Sequence, residues 1–168
     1  SAAGHAASLP KSRDFQVGDF KVTTLLAGSR SVEGPQNIFG MNVDADEFAM
    51  VSEKNFIGTD AAQFFFTPTV VNTGTEVILF DTGLNPAGIT SALAAAGYTP
   101  DQITHVVITH MHGDHIGGLS GDAGATFANA AYVTGRKEYD TWAKTDNENF
   151  MGKVKPLAEQ MTFLEDGQ

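Results

Sequence analysis

Between Thr109 and His115 the sequence reads Thr-His-Met-His-Gly-Asp-His. Three of the chain's five histidines and one aspartate fall in this run. Imidazole nitrogen and carboxylate oxygen are the donors that hold Zn²⁺ and similar divalent ions. The chain has no cysteine, so disulfides and thiolate sites are excluded and any metal must be held by nitrogen and oxygen. His110 and His112 are two apart. In an extended segment a period of two sends both side chains the same way, so both can reach one ion. Gly113 permits a tight change of direction, after which Asp114 and His115 can face a second ion. Ions paired at roughly 3.5–4 Å lower the pKa of water toward about 7 and polarise a scissile bond. Gly117-Gly118 lets the chain turn closely beneath them. A structural zinc site wants four protein ligands, commonly with cysteine, so the donor set favours a catalytic centre.

The composition narrows the chemistry. Hydrophobic residues are 42% of 168 and charged residues 18%, an ordinary globular balance for one domain with a real core. The formal net charge is −10. That argues against nucleic acid or an anionic membrane as the main partner; it says nothing positive about the substrate, for which a small molecule is the expectation. No run reaches the roughly 18–20 apolar residues that span a bilayer. The N-terminal Ser-Ala-Ala-Gly-His-Ala-Ala-Ser is built of small residues and reads as flexible. It reads either as the remnant of a cut signal peptide, implying a periplasmic or secreted protein, or as a tail on a cytoplasmic one. Residues 1–14 are expected to be a flexible tail with His5 idle, and 15–168 the domain.

The elements that must carry the cluster follow from periodicity. Phe15 to Val17 and Phe20 to Leu26 read as strands around a Gly18-Asp19 turn. Residues 28–43 read as a loop. Asp44 caps a helix with Glu47 three residues on, ending before Gly58. Phe64 to Asn72 is β-rich, with a turn at Thr73-Gly74. Val77 to Phe80 is a short apolar run, as in a strand buried on both faces, and ends in Asp81-Thr82-Gly83. A helix follows over about Gly88 to Ala96, with Gly97 as its C-cap. Ile103 to Ile108 is a second buried strand, and the cluster sits just past its end. Ala131 to Thr134 reads as a strand, Lys137 to Lys144 as a helix, and Met161 to Leu164 as a last strand. Strands and helices alternate and the special residues lie at strand C-termini, the usual place for a site in an α/β protein. His105 precedes the strand core and reads as structural. Phe39, Phe48, Phe56 and Phe64 to Phe66 could line an apolar pocket, but core is the favoured reading.

The pattern His110-x-His112-x-Asp114-His115 resembles the signature of the metallo-β-lactamase superfamily. Val77-Ile-Leu-Phe-Asp81-Thr-Gly is similar to that family's upstream strand-Asp-x-Gly element, and Ile103 to His110 to the strand entering its ligands. The wording Thr-His-Met-His-Gly-Asp-His-Ile-Gly-Gly looks most like the methyl parathion hydrolase and quorum-quenching lactonase branch, as do the turn at Val71 to Gly74 and the Ala-Ala-Gly-Tyr-Thr-Pro segment ending at Pro100. The resemblance implies an α/β (α+β) fold, the αββα sandwich, present as its first half plus part of the second. It implies two divalent ions, expected to be zinc. His110 and His112 would hold the first, and Asp114 and His115 the second. Asp81 would support a ligand from behind, its plainer reading being a turn carboxylate. The implied chemistry is hydrolysis of an ester, lactone, amide or phosphotriester by a metal-bound hydroxide, with Asp114 also orienting or moving a proton. Three further family ligands are absent, so the chain is expected to be the N-terminal part of a larger protein, with a homodimer as its assembly. The alternatives are an iron-dependent oxidoreductase of the same fold and a non-enzymatic metal-binding half-domain.

Overall fold

The structure is a computed structural model and describes residues 9–168. The expectations for His5 and the signal remnant lie outside the described residues. In chain order the first elements are β1 (Ser12–Val17), β2 (Phe20–Leu25), β3 (Gly28–Glu33), α1 (Ala45–Lys54), β4 (Ala61–Phe66), β5 (Thr69–Asn72) and β6 (Val77–Phe80). Then come α2 (Pro86–Ala95), β7 (His105–Ile108), α3 (Gly113–Ile116), β8 (Ser120–Gly121) and β9 (Gly124–Ala125). The last are β10 (Ala131–Gly135), α4 (Arg136–Trp142), a π-turn at Phe150–Val154, a 3₁₀ stretch at Lys155–Gln160 and β11 (Met161–Leu164). They form two compact units, one from the residues up to Gly28 together with Phe66–Gln168, the other Ser29–Phe65.

The larger unit is built on a seven-stranded sheet ordered β1-β2-β5-β6-β7-β10-β11. The pairs from β1 to β6 are antiparallel, and those from β6 to β11 are parallel. The parallel half needs crossovers, which α2 and α4 supply. Asn85 caps α2 by accepting from Gly88 N at 2.8 Å, and Pro86 sits at its first turn.

Registers show that the two faces of this sheet differ. On one, Thr23, Leu25, Val70, Leu79, Val106, Ile108, Tyr132 and Thr134 are all at most 2% exposed. Ile89 and Leu93 of α2, Ile116 of α3, and Phe150 and Val154 join them in a single core. The other face carries Phe15, Val17, Phe20, Val22, Val71, Ile78, Phe80, Val107 and Val133, all half-buried or exposed. Among the described residues, then, β6 and β7 are closed on one side only, rather than on both as their unbroken apolar runs suggest.

β1 opens three residues inside the segment expected to be tail. Its Asp14 earns a place in the ladder by accepting from Thr23 Oγ1 at 2.7 Å and pairing with Lys21 at 3.2 Å. Those two neighbours hold the Asp14 carboxyl below its ordinary pKa.

The smaller unit pairs β3 with β4 in a two-stranded sheet and adds α1. Asp44 caps α1 as expected, accepting from Glu47 N at 2.9 Å. Two expectations fail here. The first half of the 28–43 loop is β3, whose Gly-Ser-Arg-Ser-Val-Glu lacks the apolar alternation that marks a strand. The phenylalanine cluster is not core: Phe56 is 99% exposed, Phe39 and Phe65 about half, and none of the six is buried. A two-stranded sheet has too little surface to close over them. Phe39 and Phe64 stack at 5.7 Å between ring centroids.

Candidate metal centre

β7 ends at Ile108, the chain bends at Thr109, and His112 is extended just before α3 begins. Met111 is fully buried in the core, while Thr109 and His112 are exposed and His110 is half-buried. The His110 and His112 rings meet edge-on at 4.7 Å between centroids. One turn of α3 then returns His115 beneath His110, with ring centroids 3.8 Å apart. His115 Nε2 lies 3.4 Å from Asp114 Oδ2. All four predicted ligands therefore lie on one short stretch at the C-terminal end of the parallel strands.

Asp81 organises this stretch from behind. It follows β6, and its amide donates to Val107 O at 2.9 Å. Its backbone is left-handed at φ 63°, a conformation that aspartate tolerates better than most residues. One oxygen, Oδ1, accepts from the Thr109 amide at 2.9 Å. The other, Oδ2, takes the Thr109 hydroxyl and His115 Nδ1, each at 2.8 Å. A carboxylate only accepts, so both groups donate to it. With its proton committed, Thr109 Oγ1 is left to accept from His110 Nδ1 at 3.1 Å. One carboxylate therefore sets the tautomer of two imidazoles, directly at His115 and through a hydroxyl at His110. In the neutral ring of each, this leaves Nε2 as the nitrogen that can bind an ion.

The floor beneath is held by Thr82 and the glycines. Thr82 is fully buried. Its amide and hydroxyl both reach His115 O, and its hydroxyl accepts from Gly118 N at 3.1 Å. A Cβ on Gly117 would meet the Leu84 carbonyl, and one on Gly118 the Thr82 carbonyl. From above, α4 supplies Glu138, whose Oε1 accepts from Met111 N at 2.9 Å, and Trp142, which meets the His112 ring edge-on at 5.8 Å. Thr109 and Thr82 lie inside the motifs read from the sequence, but no role for either hydroxyl follows from it; no local signal marks Glu138 or Trp142. His105 stands apart from the cluster, bonding Thr104 Oγ1 at 2.9 Å and lying 4.0 Å from Glu76.

Imidazole nitrogens freed at Nε2 beside a carboxylate suit a borderline divalent ion in kind. In number they form pairs. Among the described residues no three His, Asp or Glu side chains converge into a ready ligand set.

The family model of the metallo-beta-lactamase superfamily matches residues 67–165. The chain belongs to this superfamily. Among proteins of the superfamily fold, a dizinc quorum-quenching lactonase, AidC, superposes at TM-score 0.77 with 20% identity, over 95% of this chain and 63% of that one. A hydrolase of the beta-lactamase superfamily, AbOPH, superposes at 0.79 with 25% identity, over 96% and 63%. In sequence, the superfamily chain is 32% identical over 84 residues to exodeoxyribonuclease WalJ of Streptococcus pneumoniae, covering 50% of this chain and 29% of that protein. It is 37% identical over 73 residues to ribonuclease Z of Methanothermobacter thermautotrophicus, covering 41% and 23%. These alignments span less than a third of the curated relatives.

Proposed function

We propose that this chain carries the metal-binding end of a hydrolase that cleaves a small uncharged ester, lactone, amide or phosphotriester, with zinc as its ion. The observation behind this reading is the Asp81 relay, which presents Nε2 of both His110 and His115 as ready donors. Bound divalent ions would supply an activated water and a Lewis acid for the carbonyl or phosphoryl oxygen. The residues' part is positioning. His110 and His112 offer one pair of donors, Asp114 and His115 the other. The second oxygen of Asp114 is free to accept or return a proton beside the scissile bond. The likeness in fold to a lactonase and a hydrolase supports a small-molecule substrate. The nuclease relatives favour a phosphodiester, but a chain of net charge −10 repels a polyanion.

Zinc titration of the metal-free protein tests this reading, followed by a panel of aryl ester, acyl lactone, phosphotriester and oligonucleotide. Wild type is expected to take up zinc and hydrolyse a neutral member. Asp114→Asn should keep the fold and lose uptake of the second ion, because an amide is a poor ligand for a divalent cation. A wild-type protein that stays empty in excess zinc would sink the proposal.

A further inference from the structure

We infer that Glu138 is a positioning residue for His110 and His112, acting through the Met111 amide; the inference rests on the metal reading above. Residues 109–112 belong to no strand or helix, so their amides have no ladder to join. Two of them end on carboxylates instead. Thr109 N donates to Asp81 and Met111 N to Glu138, each at 2.9 Å. These amides flank His110 on either side along the chain. Each bond fixes one amide, so the backbone that spaces the two imidazoles is pinned at two successive alternate positions. Asp81 comes from β6 and Glu138 from α4, so the segment is pinned from two elements.

The same helix touches the segment twice. Glu138 and Trp142 are four residues apart and share one face of α4. The first holds the amide between the histidines, and the second meets the His112 ring. Glu138 makes no ion pair among the described residues, whereas the nearby Arg136 is taken by Glu165 at 2.7 Å. A carboxylate at the start of a helix also favours that helix through its dipole. This plainer role needs only the charge and the place, and does not need the reach.

Reach and charge separate in three variants. Glu138→Gln keeps an acceptor of the same length without the charge. Glu138→Asp keeps the charge at the helix start and shortens the reach by one methylene. Glu138→Ala removes both. Amide exchange at Met111 in metal-free protein, and zinc affinity by competition with a chelator, are the readouts. Gln should protect Met111 and bind zinc nearly as wild type does. Asp and Ala should lose the protection and weaken zinc about 10–100-fold, the usual effect of removing support behind a ligand. Asp behaving as wild type in both readouts would overturn the inference in favour of helix electrostatics. Unchanged Met111 exchange in Ala would overturn it outright. If wild type itself fails to bind zinc, the metal reading falls, while exchange at Met111 still supports or overturns the clamp. If Ala fails to fold, the Gln and Asp pair decides alone.

Discussion

Thr82 grips the carbonyl oxygen of His115 twice, with its amide and with its hydroxyl, each at 2.8 Å. The hydroxyl also accepts the Gly118 amide. Four polar groups thus close on one another directly beneath His115. Thr82→Val keeps the shape and deletes the hydroxyl. It strands the Gly118 N–H and should cost about 1–3 kcal/mol. Urea unfolding of metal-free protein checks this, and a change within error would show that the floor does not depend on that hydroxyl.

Asp81→Asn should keep the fold and spoil the relay. An amide brings two protons toward groups that already donate, so one of Thr109 and His115 must turn away. Zinc affinity should fall at least about 10-fold, with the His115 ring signal shifted in NMR of the metal-free protein. An unchanged affinity would reduce Asp81 to a turn residue.

Gly118→Ala drives a Cβ into the Thr82 carbonyl, backbone against backbone. Neither side can yield cheaply, and the loss should reach about 3 kcal/mol or more. Gly152→Ala is the control, because nothing lies within 4 Å of its Cβ position. Thermal melts of the two variants should differ widely, and equal melts would contradict the close packing under the site.

Tyr132 sets an alkaline limit. It is 1% exposed, and its hydroxyl donates to Phe127 O at 2.8 Å. Burial pushes its pKa above the ordinary 10.0. The folded state therefore keeps the proton longer than the unfolded state. Its contribution is whole below pH about 10 and is lost as pH rises from there through the folded value. Tyr132→Phe should lose about 1–3 kcal/mol at neutral pH and decline less steeply between pH 9 and pH 11 (roughly one unit either side of the free phenol value). Parallel slopes in urea midpoints would refute the assignment.

The local parts of this architecture were legible in the chain. Period two placed His110 and His112 together because Met111 is apolar and must turn inward. The cap at Asp44 and the strands at Val77 and Ala131 follow from signals a few residues long. What stayed hidden is non-local. Glu138 meets Met111 across 27 residues, and only the packing of α4 brings them together. β3 was missed because its partner β4, not its own composition, makes it a strand. The phenylalanines misled for a related reason. Hydrophobicity tells what a side chain prefers, not whether enough neighbours exist to satisfy it.

The two unlike faces of the seven-stranded sheet bear on how this polypeptide behaves in a tube. Phe15, Val17 and Phe20, each about half exposed, put a greasy strip on a molecule of net charge −10. In dilute buffer the like charges hold copies apart, over a screening length of about 30 Å at 0.01 M salt. Near 1 M that length shrinks to about 3 Å, and contact between the strips is no longer opposed. Colloidal stability should therefore fall as salt rises, with light scattering growing well before any loss of secondary structure. High salt would be the wrong choice for keeping this one in solution.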